Sequence, residues 1–519
     1  MFGFLKRKLA ALLMRQSKAS EPPPQLAGKL EHDLAYFADI AGDDLTIQRL
    51  SLRTVPPTQA ALVYIDSLNK QDIIGELVLQ PLLLTIGGLP KVKAGRPLVE
   101  LLGSSVLQVG GLAYSSDVLS LEQSVLNGDC LVLVDRADLA IILSTAQSPE
   151  RPIMEPNTER PVRGPRASFT ENLITNVSLL RRWMRNKDLV LERMTIGERS
   201  HTQVGIIYIR KLVQDELVQE VKHRLSRIRI DSILESGYIE QLIEDNPWSI
   251  FAQVGNSERP DVVIAKLQEG RVGIVIDGTP LVLTVPMLFA EGLQTPEDYY
   301  SRTLYSSLVR LIRFVALLVA TALPALYVAL VSYHQELIPT PLLVTMSATA
   351  EGTPFPAYLE MLLVILIFEI VREASLRLPA NIGQAVSIVG TLVIGQAAIQ
   401  AGLFGAPAII VAALTSLSSF VITPHGDAST ILRFLLTIVA GFSGLFGMLI
   451  AALFLLVHLC SLRSFGVLYL WPWAPFSASG QKDLFVRAPL WMMRQRPQAL
   501  PSQEKRRFAA SAKPRRDRS

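Results

Sequence analysis

The side chains best placed to do chemistry in this 519-residue sequence are charges set inside long apolar runs. Residues 314–459 hold three basic side chains, Arg372, Arg377 and Arg433, against six carboxylates. An ionised group in hydrocarbon costs on the order of several kcal/mol unless it pairs, takes up a proton or meets water. Glu369 lies one helical turn from both Arg372 and Glu373, and Glu373–Arg377 is an i,i+4 ion pair. Such spacing suits either an intramembrane salt-bridge cluster or a polar lining around an ion path. Glu360 projects roughly opposite Glu369 on a helical wheel, so the acids do not form one stripe. Gln396 and Gln400 share a face in the next apolar stretch and need partners. Thr391-x3-Gly395 and Ser443-x3-Gly447-x3-Ala451 are small-residue seams that admit close helix contact, which makes Gly447 a candidate subunit contact. Packing within a helical bundle and a water-filled pore through an oligomer would both satisfy these groups.

Other chemistries find less support. Asp135 and Asp277 each close an apolar run, where open α/β sheets place ligands, but Asp277-Gly-Thr-Pro280 is also what a tight turn needs. The turn or capping reading is favoured. There is no Gly-x4-Gly-Lys-Ser/Thr phosphate loop and no Gly-x-Gly-x-x-Gly leading into a helix. Six histidines never pair at i,i+3 or i,i+4, and the two cysteines, Cys130 and Cys460, stand in unrelated contexts. No catalytic, cofactor-binding or metal-binding residue is assigned, and the chain is not expected to be an enzyme. Arg160, Arg163 and Arg166 recur every third residue in a polar passage. In an extended segment they could clamp carboxylates of a neighbouring subdomain or subunit, or simply form a solvated linker.

The elements that must position these residues follow from an uneven charge distribution. Only 18% of residues are charged, half are hydrophobic, and the mean hydropathy is +0.34. Residues 1–313 carry 35 basic and 37 acidic side chains, and residues 460–519 carry 12 and 3. This division predicts an α/β front domain, an all-α polytopic membrane domain and a basic tail. The slightly acidic front domain argues against nucleic-acid binding. Ala61-Leu-Val-Tyr-Ile-Asp-Ser-Leu68 reappears as Gly205-Ile-Ile-Tyr-Ile-Arg-Lys-Leu212, and the runs ending in Asp135 and Asp277 follow at separations of 71 and 69 positions. Two tandem α/β subdomains of similar topology are therefore expected, over 45–150 and 201–305. A leader and linker occupy 1–44, with no signal peptide, and an arginine-rich connection occupies 151–200. The membrane domain is placed at 306–465 and the tail at 466–519. Apolar spans are expected near 314–333, 382–400, 404–423 and 431–458, with a Pro324 kink in the first. The stretch 357–371 is short and carries two glutamates, so it is expected to lie in the interface or re-enter, although a crossing there stays open. Four crossings put the tail and front domain on the cytoplasmic face and His425 and Asp427 on the outer one.

Several longer motifs give a more specific reading. Phe368-Glu-Ile-Val-Arg-Glu-Ala-Ser-Leu-Arg-Leu-Pro379, Ile382-Gly-Gln-Ala-Val-Ser-Ile-Val-Gly390, Ile394-Gly-Gln-Ala-Ala398 and His458-Leu-Cys-Ser-Leu-Arg-Ser-Phe-Gly466 closely resemble the A-subunit, or GerA, family of bacterial spore germination proteins. Val162-Arg-Gly-Pro-Arg166, Asp231-x2-Leu-Glu-Ser-Gly-Tyr-Ile-Glu-Gln-Leu-Ile-Glu-Asp-Asn-Pro247 and Ser257-Glu-Arg-Pro-Asp261 carry the resemblance into the front domain. The loop Thr423–Thr430 departs from it, being shorter and less acidic than is usual there. The resemblance implies the A subunit of a nutrient germinant receptor in the spore inner membrane. Its implied partners are a transporter-like B subunit, a lipoprotein C subunit, membrane lipid and further copies of itself, as a pentamer. The oligomer would be a nutrient-gated ion channel with Glu360, Glu369, Arg372, Glu373, Gln396 and Gln400 near its path or gate, and Arg377 among the subunit contacts. A non-conducting scaffold, or the related ion-release channel branch without a nutrient subunit, are the alternatives.

Overall fold

A computed structural model describes residues 24–54, 57–84, 92–107, 109–146, 156, 159, 161–350, 352–378, 395–478, 480–497, 499–500 and 502–507. Two five-stranded antiparallel sheets make the front domain. The first contains β1 (Leu45–Leu52), β2 (Thr58–Ile65), β3 (Leu112–Ser115), β4 (Cys130–Val134) and β5 (Ala140–Leu143) in the order β1-β2-β4-β5-β3. The second repeats that order with β6 (Leu189–Ile196), β7 (Thr202–Ile209), β8 (Gly255–Ser257), β9 (Val272–Ile276) and β10 (Val282–Val285), as β6-β7-β9-β10-β8. The duplicated motifs are the equivalent strands β2 and β7. Their unbroken Val/Ile/Leu runs are buried on both faces, which is why they do not alternate with polar residues. Helix α1 (Val118–Asn127) starts where the Asp117 carboxylate accepts the Leu119 and Ser120 N–H groups, and ends at Gly128 with φ +100°.

Two subdomain boundaries differ from those expected from sequence. Leu26, Leu30, Leu34, Phe37 and Ile40 pack into the core under β2 and β4, so the first unit begins well before residue 45. The passage 151–200 is not merely a connection: it contains α2 (Leu173–Trp183) and β6, paired with β7 over eight residues from Leu189↔Ile209 to Ile196↔Thr202. The polar tilt of β6, with Glu192 and Arg193 on an edge strand, hides its strand character in the sequence. Buried Arg181 of α2 joins the two units. Its Nε donates to Asp44 of the first unit, and its terminal nitrogens donate to the Leu189 and Ala41 carbonyls at 3.1 Å each. The second unit continues with α3 (Asp215–Ser226), α4 (Ser236–Ile243) and α5 (Pro260–Leu267).

The C-terminal half is a helical bundle of α6 (Thr303–Tyr333), α7 (Ala357–Arg377), α8 (Ala406–Ser419) and α9 (Gly426–Ser461). Helices α6 and α9 are long and apolar enough to cross a membrane. Helix α9, however, is a hairpin. Gly444 has φ +56° and ψ −147°, a conformation that suits glycine, and the chain reverses there. Ala451 then shares a cluster with Leu436 and Ala440, Leu455 one with Leu432, and Leu459 one with Ala428. Each arm is about 26 Å long at ~1.5 Å per residue, near the ~30 Å of a hydrocarbon core. The single span expected over 431–458 is thus two antiparallel helices, a reversal hidden because apolar runs on both sides of Gly444 merge.

Helix α7 packs within the bundle, with Met361, Val364 and Ile365 buried between neighbouring helices. Most of the expected span 382–400 lies outside the described residues. His425 does not face away from the front domain: it is buried, stacks on Phe289 at 4.5 Å, and its Nε2–H donates to the Phe289 carbonyl at 3.1 Å.

Candidate functional site

The polar centre of the bundle is built on a proline. Pro324 has no N–H, so the Ala320 carbonyl one turn earlier lacks its intrahelical donor. Buried Arg433 from the first arm of α9 supplies the missing donor, with Nε 2.8 Å from that carbonyl. Its NH2 donates to Ser419 Oγ of α8 at 2.5 Å, and its NH1 lies 3.9 Å from Glu369 Oε2 of α7. Glu369 in turn accepts from Arg372. One guanidinium therefore ties four helices, and the expected Glu369–Arg372 cluster gains a third charged member. Sequence reasoning noted Arg433 and Pro324 separately. The available signal was the orphan carbonyl that any mid-span proline creates.

The other expected residues lie around this centre. Glu360, buried at the first turn of α7, accepts the Gly405 N–H at the start of α8 at 2.6 Å, as an interhelical cap. Glu373 and Arg377 form the expected i,i+4 pair at 2.6 Å and are exposed. Gln396 and Gln400 are exposed on either side of buried Ala398. Gly447 faces Ser443 and Val439 of its own hairpin, where an added Cβ would come within 2.6 Å of Ser443 Cβ. The hydroxyls of Thr415, Ser418 and Ser419 donate to carbonyls four residues back within α8.

Arg160 lies outside the described residues, and Arg163 and Arg166 are exposed. Glu159, which accepts from Ser257 Oγ at 2.8 Å, and the Val162 N–H, which donates to Glu297 at 2.6 Å, help hold their segment. Asp277 acts as a cap, but for a distant helix: it accepts the Leu173 N–H at the start of α2 at 2.9 Å.

A second ionic group, missed in the sequence, joins front domain to bundle. Buried Asp298 accepts from Arg310 Nε at 2.8 Å and Arg313 NH1 at 2.9 Å, both on α6. Arg310 also reaches Asp483 Oδ1 at 2.9 Å, and Tyr299 donates to Asp483 Oδ2 at 2.8 Å. Burial first, and then the Asp483 charge, push the Tyr299 phenol up. From sequence the two arginines were only basic flanks of an apolar span; their partners lie 12–15 residues before them or about 170 after.

These features match a known group of proteins. The family model described as Bacillus/Clostridium GerA spore germination protein matches residues 34–499. The chain belongs to the GerA family. It is 39% identical over 498 residues to "Spore germination protein KA" of Bacillus subtilis (strain 168), covering 95% of this chain and 91% of that protein. It is 35% identical to "Spore germination protein GerLA" of Bacillus cereus, covering 92% of this chain and 97% of that protein. A crystal structure of the N-terminal domain of the A subunit of the Bacillus megaterium spore germinant receptor GerK3 aligns with 52% of this chain and 99% of that one, at 32% identity and a TM-score of 0.41. GerA membership fits a chain that couples a duplicated α/β domain to a charged helical bundle.

Proposed function

We propose that this chain is the A subunit of a spore nutrient germinant receptor, and that its bundle contributes to an oligomeric, nutrient-gated ion channel in the spore inner membrane. The observation that carries this reading is the arginine–glutamate cluster of Glu369, Arg372 and Arg433 inside an apolar bundle. Side chains of Glu369 and Arg372 are 21% and 25% exposed in the single protomer. Charges partly open at that depth need a neighbouring subunit or water, and an oligomer with a wet axis supplies either. Exposed Gln396, Gln400, Glu373 and Arg377 extend the polar surface.

In this reading α6, α7, α8 and both arms of α9 cross the bilayer, and 382–400 keeps its assignment from sequence as a further span. The front domain and residues 462–507 share the cytoplasmic face. A transporter-like B subunit and a lipoprotein C subunit complete the receptor, and pentameric assembly is the family expectation. Planar-bilayer recordings on the reconstituted protein test this. Glu369→Gln and Arg372→Gln are expected to alter ion selectivity or open probability while assembly stays normal. Unchanged currents in assembled variants would remove these residues from the path. A reconstituted wild type that never conducts would favour a scaffold that couples the B subunit to another channel.

A further inference from the structure

Residues after the bundle turn back against the first turn of the apolar part of α6. Trp473 and Phe485 pack on Phe314, with ring centroids 6.3 and 4.9 Å away. Beside these anchors Phe476 and Val486 expose 76% and 62% of their surface, and Leu490 and Met492 are exposed as well. An apolar shoulder therefore stands at the level where α6 passes from its arginine-flanked base into its apolar span.

Behind the shoulder lies a cavity of about 310 Å³ between this segment, the turn Phe289–Leu293 and the start of β9. Arg271, Lys482, Arg494, Arg496 and Arg507 line it against three carboxylates. The carboxylates are already committed: Glu269 to Arg271 and Arg507, Glu291 to Arg271 and Lys266, and Asp483 to Arg310. Arg271 is 3% exposed, and its Nε has no hydrogen-bond partner among the described residues. Among the described residues Arg494 donates to the Trp491 carbonyl, while Arg496 spends its hydrogen bonds on three backbone carbonyls and lies 3.6 Å from the Glu504 carboxylate. Burial lowers the Arg496 guanidinium, and Arg507 adds to this against the pull of Glu504. The cavity thus has an excess of positive charge facing an apolar ledge.

We propose that this cavity is a headgroup site for an anionic phospholipid, its phosphate held by Lys482 and Arg494 and its acyl chains lying over Phe476 and Val486. The proposal rests on the reading that α6 spans a bilayer. Cationic groups beside an interfacial apolar surface favour an anionic lipid over a zwitterionic one.

The test uses the full chain in nanodiscs of mixed phosphatidylglycerol and phosphatidylcholine, with retained lipids counted by native mass spectrometry after extraction. Wild type is expected to keep phosphatidylglycerol, and the double variant Lys482→Gln/Arg494→Gln to keep less by a factor on the order of ten. Both side chains are exposed, so the melting midpoint should stay put. Phe476→Ser/Val486→Ser should lower lipid retention too, and excess inorganic phosphate should not displace the lipid. Equal retention by wild type and the Lys482/Arg494 variant would overturn the site. Displacement by phosphate, with no effect of the Phe476/Val486 variant, would overturn the lipid in favour of a free anion. Failure of the chain to insert at all would overturn the spanning reading and this proposal together, whereas insertion without lipid preference overturns this proposal alone.

Discussion

A single side chain, Arg433, explains how a proline can sit inside the longest apolar helix of the bundle without leaving a bare carbonyl. Arg433→Met should destabilise the bundle by about 1.5–3 kcal/mol, since it strips a charged donor from a buried acceptor. In a Pro324→Ala background residue 324 regains its N–H, Ala320 regains an intrahelical partner, and the same substitution should cost less by on the order of 1 kcal/mol. Thermal melts of the four proteins check this, and strictly additive costs would reject it. In the front domain, burial and then the Glu244 charge raise the Glu240 carboxyl to about 7. Between an unfolded value of about 4.3 and 7 the native state keeps a proton that the unfolded chain has released. The favourable contribution of this group is therefore complete below the unfolded value and is lost as pH rises through about 7. Glu240→Gln should raise the melting midpoint at about pH 8 and leave it close to wild type at about pH 5. A shift of the same size at both values would show that Glu240 is not the titrating group.

At the scale of elements, the reversal at Gly444 decides how many helices the last apolar stretch supplies. An alanine there must adopt φ +56°, and its Cβ would sit 3.0 Å from Tyr333 Cβ. Gly444→Ala is expected to cost about 1–3 kcal/mol and to sensitise the hairpin tip to proteolysis. A variant as resistant as wild type would argue that the two arms are one continuous helix. Helix α7 shows why its neighbours could not be read from sequence. Its period places apolar and charged residues on known faces, but Glu360 caps α8 and Glu369 meets α9 across gaps of 45 and 64 positions.

At the scale of the molecule, front domain, bundle and C-terminal segment behave as one assembly because buried charges cross their boundaries. Asp298→Asn leaves Arg310 and Arg313 short of a buried counter-charge and should cost about 3–5 kcal/mol. Limited proteolysis is expected to release the front domain faster from this variant, and an unchanged cleavage rate would mean that the junction does not hold the parts together. Composition and apolar run length alone determined that an α/β domain precedes a helical membrane-type domain, since both depend on local pattern. The repeat of β2 in β7 followed from the same local information, and family-specific motifs added the spore-germination reading. The partners of Arg181, Arg310 and Arg433, the hairpin at Gly444 and the inward turn of His425 were settled only by the tertiary structure. Each depends on which groups meet across long separations, and hydrophobic periodicity constrains the face a residue occupies but not the residue it finds there.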